Sequence, residues 1–131
     1  MIVDASALVA IVRDEPDSDV YARALARSRD ARLSAATYVE AAVVVDSAED
    51  PVASRQFDDL LQTSGVTVVA VTSAHAEIAR EAYRDYGKGS GHPARLNLGD
   101  CFSYALARAT GEPLLFKGDD FSHTDLRSAL E

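Results

Sequence analysis

The residues of this chain best suited to chemistry are acids. Asp4 ends the apolar opening run 1–3, Glu40 follows Thr37 by three positions, Asp100 follows Asn97 by three, and Asp119 and Asp120 follow the apolar run 113–116. If the fold gathers them, carboxylates far apart in the chain converge on one place. Convergent carboxylates repel one another and lose hydration on burial, so without a counter-charge some stay protonated near neutral pH. A divalent cation supplies that charge. All-oxygen ligands suit Mg2+ or Mn2+, and Mg2+ keeps several waters and takes phosphate oxygens from a substrate. Such a site can activate a water and stabilise the leaving oxygen of a phosphodiester.

Each acid also has a purely structural reading. Thr37-x-x-Glu40 fits a capping box, and by spacing alone that reading is favoured. Asn97-x-x-Asp100 is a cap pattern with equal claim, and Asp119-Asp120 is ordinary turn composition. Asp4 is different, because an acid at the inner end of a buried strand needs a partner. Gly87-x-Gly89-x-Gly91 resembles a phosphate-binding loop, but it follows a helix and not a strand, so it reads as a flexible loop. His75 reads as a helix-surface residue, and His92 and His123 lack metal-ligand spacing. Cys101 reads as a small buried filler. Arg80, Arg84, Lys88 and Arg95 make a basic stretch that suits a helix surface or a phosphate backbone.

The elements that must position these residues alternate in type. Residues 1–3 read as a buried strand, followed by a helix capped by Ser6 that runs through Val12 and stops at Pro16. Asp17 or Ser18 caps a helix over 19–29. Residues 32–35 make a second strand, and Thr37 opens a helix through Asp46, which puts Glu40 in its first turn. Asp50-Pro51 starts a helix that ends at Gly65. The β-branched run 66–71 reads as a fully buried strand. Helices follow over 73–84 and 98–110, with a last strand over 113–116. This order predicts an α/β fold with a mainly parallel sheet, whose ligands bind beyond the carboxyl ends of the strands.

The chain of 131 residues fits a single domain, 1–131. Its composition, 47% hydrophobic and 26% charged, is that of a globular protein. One cysteine excludes an internal disulfide and points to the reducing cytosol. No apolar run reaches the length of a membrane span. A net charge of −8 disfavours nucleic-acid binding through bulk positive charge, and leaves a carboxylate-rich metal site open.

Met1-Ile2-Val3-Asp4-Ala5-Ser6-Ala7, Thr37 with Glu40, Leu98-Gly99-Asp100-Cys101 and Leu114-Leu115-Phe116-Lys117-Gly118-Asp119-Asp120-Phe121 are similar, in order and spacing, to the PIN-domain nucleases. The chain most resembles the VapC-type toxins of bacterial toxin–antitoxin pairs. Its segments His92-Pro93-Ala94-Arg95-Leu96-Asn97-Leu98-Gly99-Asp100-Cys101 and Phe121-Ser122-His123-Thr124-Asp125-Leu126 look typical of one branch. No single motif is specific; the ordered set, which covers essentially the whole chain, is. The resemblance implies an α/β/α sandwich, a metal-dependent endoribonuclease for single-stranded RNA, a cognate VapB-type antitoxin and a homodimer. Carried over by position, it implies an acidic cluster of Asp4, Glu40, Asp100 and Asp119. In it Asp4, Asp100 and Asp119 bind Mg2+ or Mn2+, and Glu40 binds metal or orients the attacking water. Ser6 and Thr37 match auxiliary polar positions. Many relatives carry another polar residue where Asp119 stands, followed by an aspartate, so the fourth acid is Asp119 or Asp120; Asp119, directly after Gly118, is preferred. Lys88, Arg95 and Lys117 are the local cations for RNA.

Two other classes compete. A haloacid-dehalogenase-like phosphatase needs a second acid two residues after Asp4, where Ser6 stands, and a receiver-like domain needs an acid pair at the first strand. A catalytically inactive partner-binding domain is the third reading, and the intact acidic set argues against it. For the antitoxin, the expectation is an amphipathic helix in a groove of the N-terminal helices, anchored near Val12 and Leu25, with a basic side chain reaching the carboxylates.

Overall fold

The computed structural model describes all residues from Met1 to Glu131. Four short strands, β1 (Ile2–Val3), β2 (Arg32–Ser34), β3 (Thr67–Val69) and β4 (Leu114–Leu115), form one sheet in the order β3-β2-β1-β4, every pair parallel. Six helices connect them: α1 (Ala5–Val12), α2 (Ser18–Arg27), α3 (Ala35–Asp46), α4 (Pro51–Ser64), α5 (Ser73–Tyr86) and α6 (Leu98–Thr110). Adjacent strand residues point to opposite faces of the sheet. Val3 and Leu115 accordingly pack with the apolar sides of α1 to α4, whereas Ile2 and Leu114 pack with α5 and α6. The result is the expected α/β/α sandwich.

The strand order also locates the functional rim. From β1 the chain moves one way, to β2 and β3, and then returns to place β4 on the other side of β1. The crevice between the carboxyl ends of β1 and β4 is therefore the topological switch point, where parallel sheets bind ligands.

Several local expectations hold. Asp50 caps α4 by accepting from the Val52 N–H at 3.0 Å, with Pro51 in the first turn, and Gly65 ends the helix at φ 69°. The tail is fastened back on the sheet. Asp125 accepts from the Tyr104 hydroxyl at 2.7 Å and from Arg108 at 2.8 Å, and the Leu114 N–H donates to the Arg127 carbonyl at 2.9 Å.

Others are corrected. The run 66–71 is not a fully buried strand: β3 lies at the sheet edge and Val68 is 46% exposed. β-Branching specified the extended backbone but not two covered faces. Asp4, not Ser6, caps α1, and α3 begins at Ala35, two residues before Thr37. His75 is not a plain surface residue, since it completes a capping box with Thr72. The loop 87–97 is anchored at its base: the Lys88 N–H donates to the Leu96 carbonyl at 2.8 Å and the Leu96 N–H to the Tyr86 carbonyl at 2.9 Å.

Candidate active site

Asp4 is fixed by three donors. It leaves β1 as the N-cap of α1, and its carboxylate is buried at the switch point. Oδ2 accepts from the Ser6 N–H at 3.1 Å and from the Ser6 hydroxyl at 2.6 Å. Oδ1 accepts from the Ser103 hydroxyl at 2.6 Å. Ser103 has spent its one hydrogen on Asp4, so the 3.0 Å contact between Thr37 Oγ1 and Ser103 Oγ has Thr37 as donor. Ser6 Oγ in turn accepts from the Lys117 N–H at 2.9 Å. That bond extends the ladder in which the Asp4 N–H pairs with the Leu115 carbonyl at 2.9 Å. Residues from α1, α3, α6 and the end of β4 thus orient one carboxylate.

Thr37 is fully buried in this relay, and the capping box predicted for Thr37 and Glu40 does not form. With α3 starting at Ala35, Glu40 is its sixth residue and lies in the second turn. Its half-buried carboxylate rests against Gly99, the second residue of α6. A Cβ at position 99 would overlap that carboxylate, so any other residue there would have to move the Glu40 side chain from its present place. The capping box of Asn97 and Asp100 does form: the Asn97 N–H donates to Asp100 Oδ2 at 3.0 Å and the Asp100 N–H to Asn97 Oδ1 at 2.8 Å.

Capping does not exhaust the role of Asp100. Burial, and then the Asp4 carboxylate, push its pKa up to about 7 from an ordinary 3.8; Glu40 and Asp120 push the same way, against the Asn97 hydrogen bond. Glu40 is also raised, by burial and then by Asp4. Asp4, Glu40 and Asp100 thus feel one another's charge, and of the groups that act on Asp100 the Asp120 carboxylate contributes least.

Asp119 stands apart. Its side chain is 84% exposed and bonds Ser122 at 2.7 Å and His123 at 3.0 Å. Those two hydrogen bonds, Ser122 first, lower its pKa. Of the three basic candidates, Lys88 and Arg95 are exposed, and Lys117 is held by Glu15 and, at 2.7 Å, by Asp17. The Lys117 pKa is raised by those same bonds, and its contribution to the site is its backbone N–H. Cys101 is fully buried, and burial pushes its thiol up to about 11, as befits a filler.

Two site residues escaped the sequence reading. Ser103 carried a signal: it follows Asp100 by three on the same face of α6, a lone hydroxyl among residues that pack as core. Gly99 was visible as a poor helix former inside a first turn.

The donor set is all oxygen and carries excess negative charge, as the raised Asp100 shows, so the residues fit a divalent cation. As the side chains stand, no group of three or more His, Cys, Asp or Glu is close enough together to hold a metal ion by itself. An open site with one or two carboxylates and several waters is the arrangement Mg2+ prefers.

The sequence profile of the PIN domain matches residues 1–126. Ribonuclease VapC42 of Mycobacterium tuberculosis is 57% identical over 129 residues, 98% of each chain. Ribonuclease VapC28 of the same species is 55% identical over 131 residues, 100% of this chain and 98% of the relative. In fold, the chain is similar to M. tuberculosis VapC20, described as a sarcin–ricin loop cleaving toxin, with a TM-score of 0.75, 20% identity and 95% of each chain covered. A toxin–antitoxin complex from Klebsiella pneumoniae aligns with a TM-score of 0.67 and 16% identity, over 92% of this chain and 89% of the other.

Proposed function

Because the chain belongs to the PIN domain family, we propose that it is a VapC-type ribonuclease toxin that cleaves single-stranded RNA with Mg2+ or Mn2+ at the Asp4 cluster. The observation that carries this reading is the buried Asp4 carboxylate, fixed by three donors at the switch point, with the buried Asp100 nearby; burial and then the Asp4 charge raise the Asp100 pKa, a cost that a cation would relieve. Asp4 and Asp100 would hold the ion, with Asp120 as the fourth acid in place of Asp119. The electrostatic coupling of Asp120 to Asp100, and the engagement of Asp119 by Ser122 and His123, support that choice.

The ion, when bound, neutralises the carboxylates and stabilises the leaving oxygen of the phosphodiester. The chain's own residues supply orientation and proton transfer. Ser6, Ser103 and Thr37 hold Asp4 in one rotation. Glu40, whose pKa burial and then Asp4 raise and whose carboxylate lies against Gly99, would accept the proton of the attacking water. The RNA phosphate then gains the water oxygen as the bond to the leaving sugar oxygen breaks.

A cognate VapB-type antitoxin is the protein partner. A cleft of about 520 Å³ between α1 and α4, with Ile11, Val12 and Leu60 beside Asp14 and Asp59, suits an amphipathic helix with basic flanks. Val12 fits as an anchor position. Leu25, only 1% exposed, is core, so Ile11 and Leu60 take its place. Homodimerisation is supported by Val39 and Val43, 56% and 60% exposed and one turn apart on α3. No helix is long and apolar enough to cross a membrane; with its single buried thiol, the chain suits the cytosol.

The test is incubation with total RNA in Mg2+, Mn2+ or EDTA, followed by mapping of the new ends. Discrete metal-dependent cuts in single-stranded segments are expected. An acyl-phosphate trapped on an aspartate, without RNA cleavage, would assign the site to phosphotransfer instead.

A further inference from the structure

The loop 87–97 carries chemistry that the acidic cluster does not use. In a chain of net charge −8, Gly89, Gly91, His92, Pro93 and Arg95 line a cleft of about 370 Å³ that contains no acid. Arg95 is exposed and enters none of the ion pairs that hold Arg32, Arg84, Arg108 and Lys117. His92 Nδ1 accepts from the Ala94 N–H at 3.1 Å, and its ring stands edge-on to Tyr86 at 4.8 Å. That bond places the proton of the neutral ring on Nε2, as a donor. The other paired N–H groups of the loop are those of Gly87, Lys88, Ser90, His92, Leu96 and Asn97, which leaves the N–H groups of Gly89, Gly91 and Arg95 unpaired. A Cβ built on Gly89 or Gly91 finds nothing within 4 Å, so the space above both is open.

The backbone at Arg95 is held in an unfavourable state. Its φ is +53°, a left-handed conformation that a long side chain rarely adopts. Ala94 and Leu96 on either side are both fully buried, and the Leu96 ladder to Tyr86 and Lys88 locks the segment. The strain is thus overdetermined by its surroundings, and strain of that kind clusters at ligand clamps. Its consequence is that two neighbours enter the core while Arg95 stays outside.

The loop also lies beside the acids. Arg95 is two residues before Asn97, a reach of at most ~7 Å, and the Asn97 N–H touches Asp100 Oδ2 at 3.0 Å.

We propose that Arg95, the Nε2–H of His92 and the free N–H groups of Gly89 and Gly91 form a phosphate subsite, which binds a backbone phosphodiester of the RNA strand next to the one that is cut. The subsite rests on the ribonuclease reading for its ligand but not for its chemistry, which is that of an anion-binding loop. It also answers how a strongly acidic chain holds a polyanion: one acid-free cleft grips the strand while the acidic cluster and its cation act on it.

The experiment uses the Arg95→Gly variant, because glycine relieves the left-handed strain and keeps the fold. Binding of a labelled single-stranded RNA of about 12 nucleotides is measured in EDTA, so that no strand is cut. Affinity should fall about fivefold, and the slope of log affinity against log salt should drop by about 0.7, the value of one lost phosphate contact. In Mn2+, KM should rise by the same factor with kcat within about twofold, and Tm should be no lower than that of the wild type. Unchanged affinity and salt slope would overturn the subsite, as would a fall in kcat alone. Arg95-dependent binding of free pyrophosphate with RNA affinity unaltered would also overturn it, since the ligand would then be a free anion. If the wild type cuts no RNA in Mn2+ while Arg95→Gly still weakens RNA binding, the ribonuclease reading fails and the subsite stands.

Discussion

Replacing Asp100 by Asn should stabilise the metal-free protein, and more so as pH rises. The side chain titrates near 7 in the folded chain and near 3.8 when solvated, because burial and the Asp4 carboxylate disfavour its charge. The native state therefore holds this proton more tightly than the unfolded state does. Below pH 4 both states are protonated and the group costs nothing. Between pH 4 and 7 the unfolded state loses the proton first, so stability falls as pH rises and levels off above 7. At 1.36 kcal/mol per pKa unit, the gap between Asp100→Asn and wild type should widen by about 2–3 kcal/mol from pH 5 to pH 8. For a chain of this length that is on the order of 10 °C in Tm. Glu40, also raised, adds to the decline in both proteins; Asp17 and Asp119, both lowered, titrate below the window. The assay is thermal unfolding by circular dichroism in EDTA at pH 5, 6, 7 and 8. Parallel curves for the two proteins would refute the reasoning, since Asp100 would then carry no buried, like-charged environment.

Three further outcomes follow from the same geometry. Ser103→Ala removes the donor to Asp4 Oδ1 and should lower kcat about tenfold with KM little changed, while stability falls by about 1–3 kcal/mol; steady-state kinetics and urea unfolding check both. Gly99→Ala exchanges a poor helix former for the best one, worth about 1 kcal/mol, yet its methyl displaces the Glu40 carboxylate, so cleavage should collapse in a protein that melts no lower. Asp120→Asn should impair cleavage far more than Asp119→Asn, and the reverse order in a side-by-side rate assay would return the fourth position to Asp119.

What the sequence made legible was governed by local chemistry. Asp50-Pro51 and Gly65 delimit α4, and Asn97 and Gly111 delimit α6, because caps and left-handed turns act within a few residues. The order of strands and helices predicted the sheet, and the apolar run before Asp4 predicted a buried acid at the inner end of β1. The losses came from distant context. The run 66–71 has the composition of a buried strand, and only the strand order puts β3 at an edge. Thr37 has cap spacing to Glu40, but Ser103, 66 residues away, claims its hydroxyl. Lys117 looked like a free cation beside the site until the turn carrying Glu15 and Asp17 folded onto it. Asp119 and Asp120 are adjacent and chemically identical, and only the turn Asp120–His123 shows that Ser122 and His123 engage the Asp119 carboxylate.

The most direct measurement is the rate of cleavage of a mapped RNA substrate in Mn2+ by wild type and by Asp4→Asn, with circular dichroism on the same samples. Asp4 receives all three donors at the switch point, so its carboxylate should be indispensable to the reaction and dispensable to the fold. The expected result is a loss of at least about a thousandfold in rate, with an unchanged spectrum and Tm no lower than that of the wild type in EDTA. Retention of more than about a tenth of the wild-type rate, or loss of activity through unfolding, would contradict it.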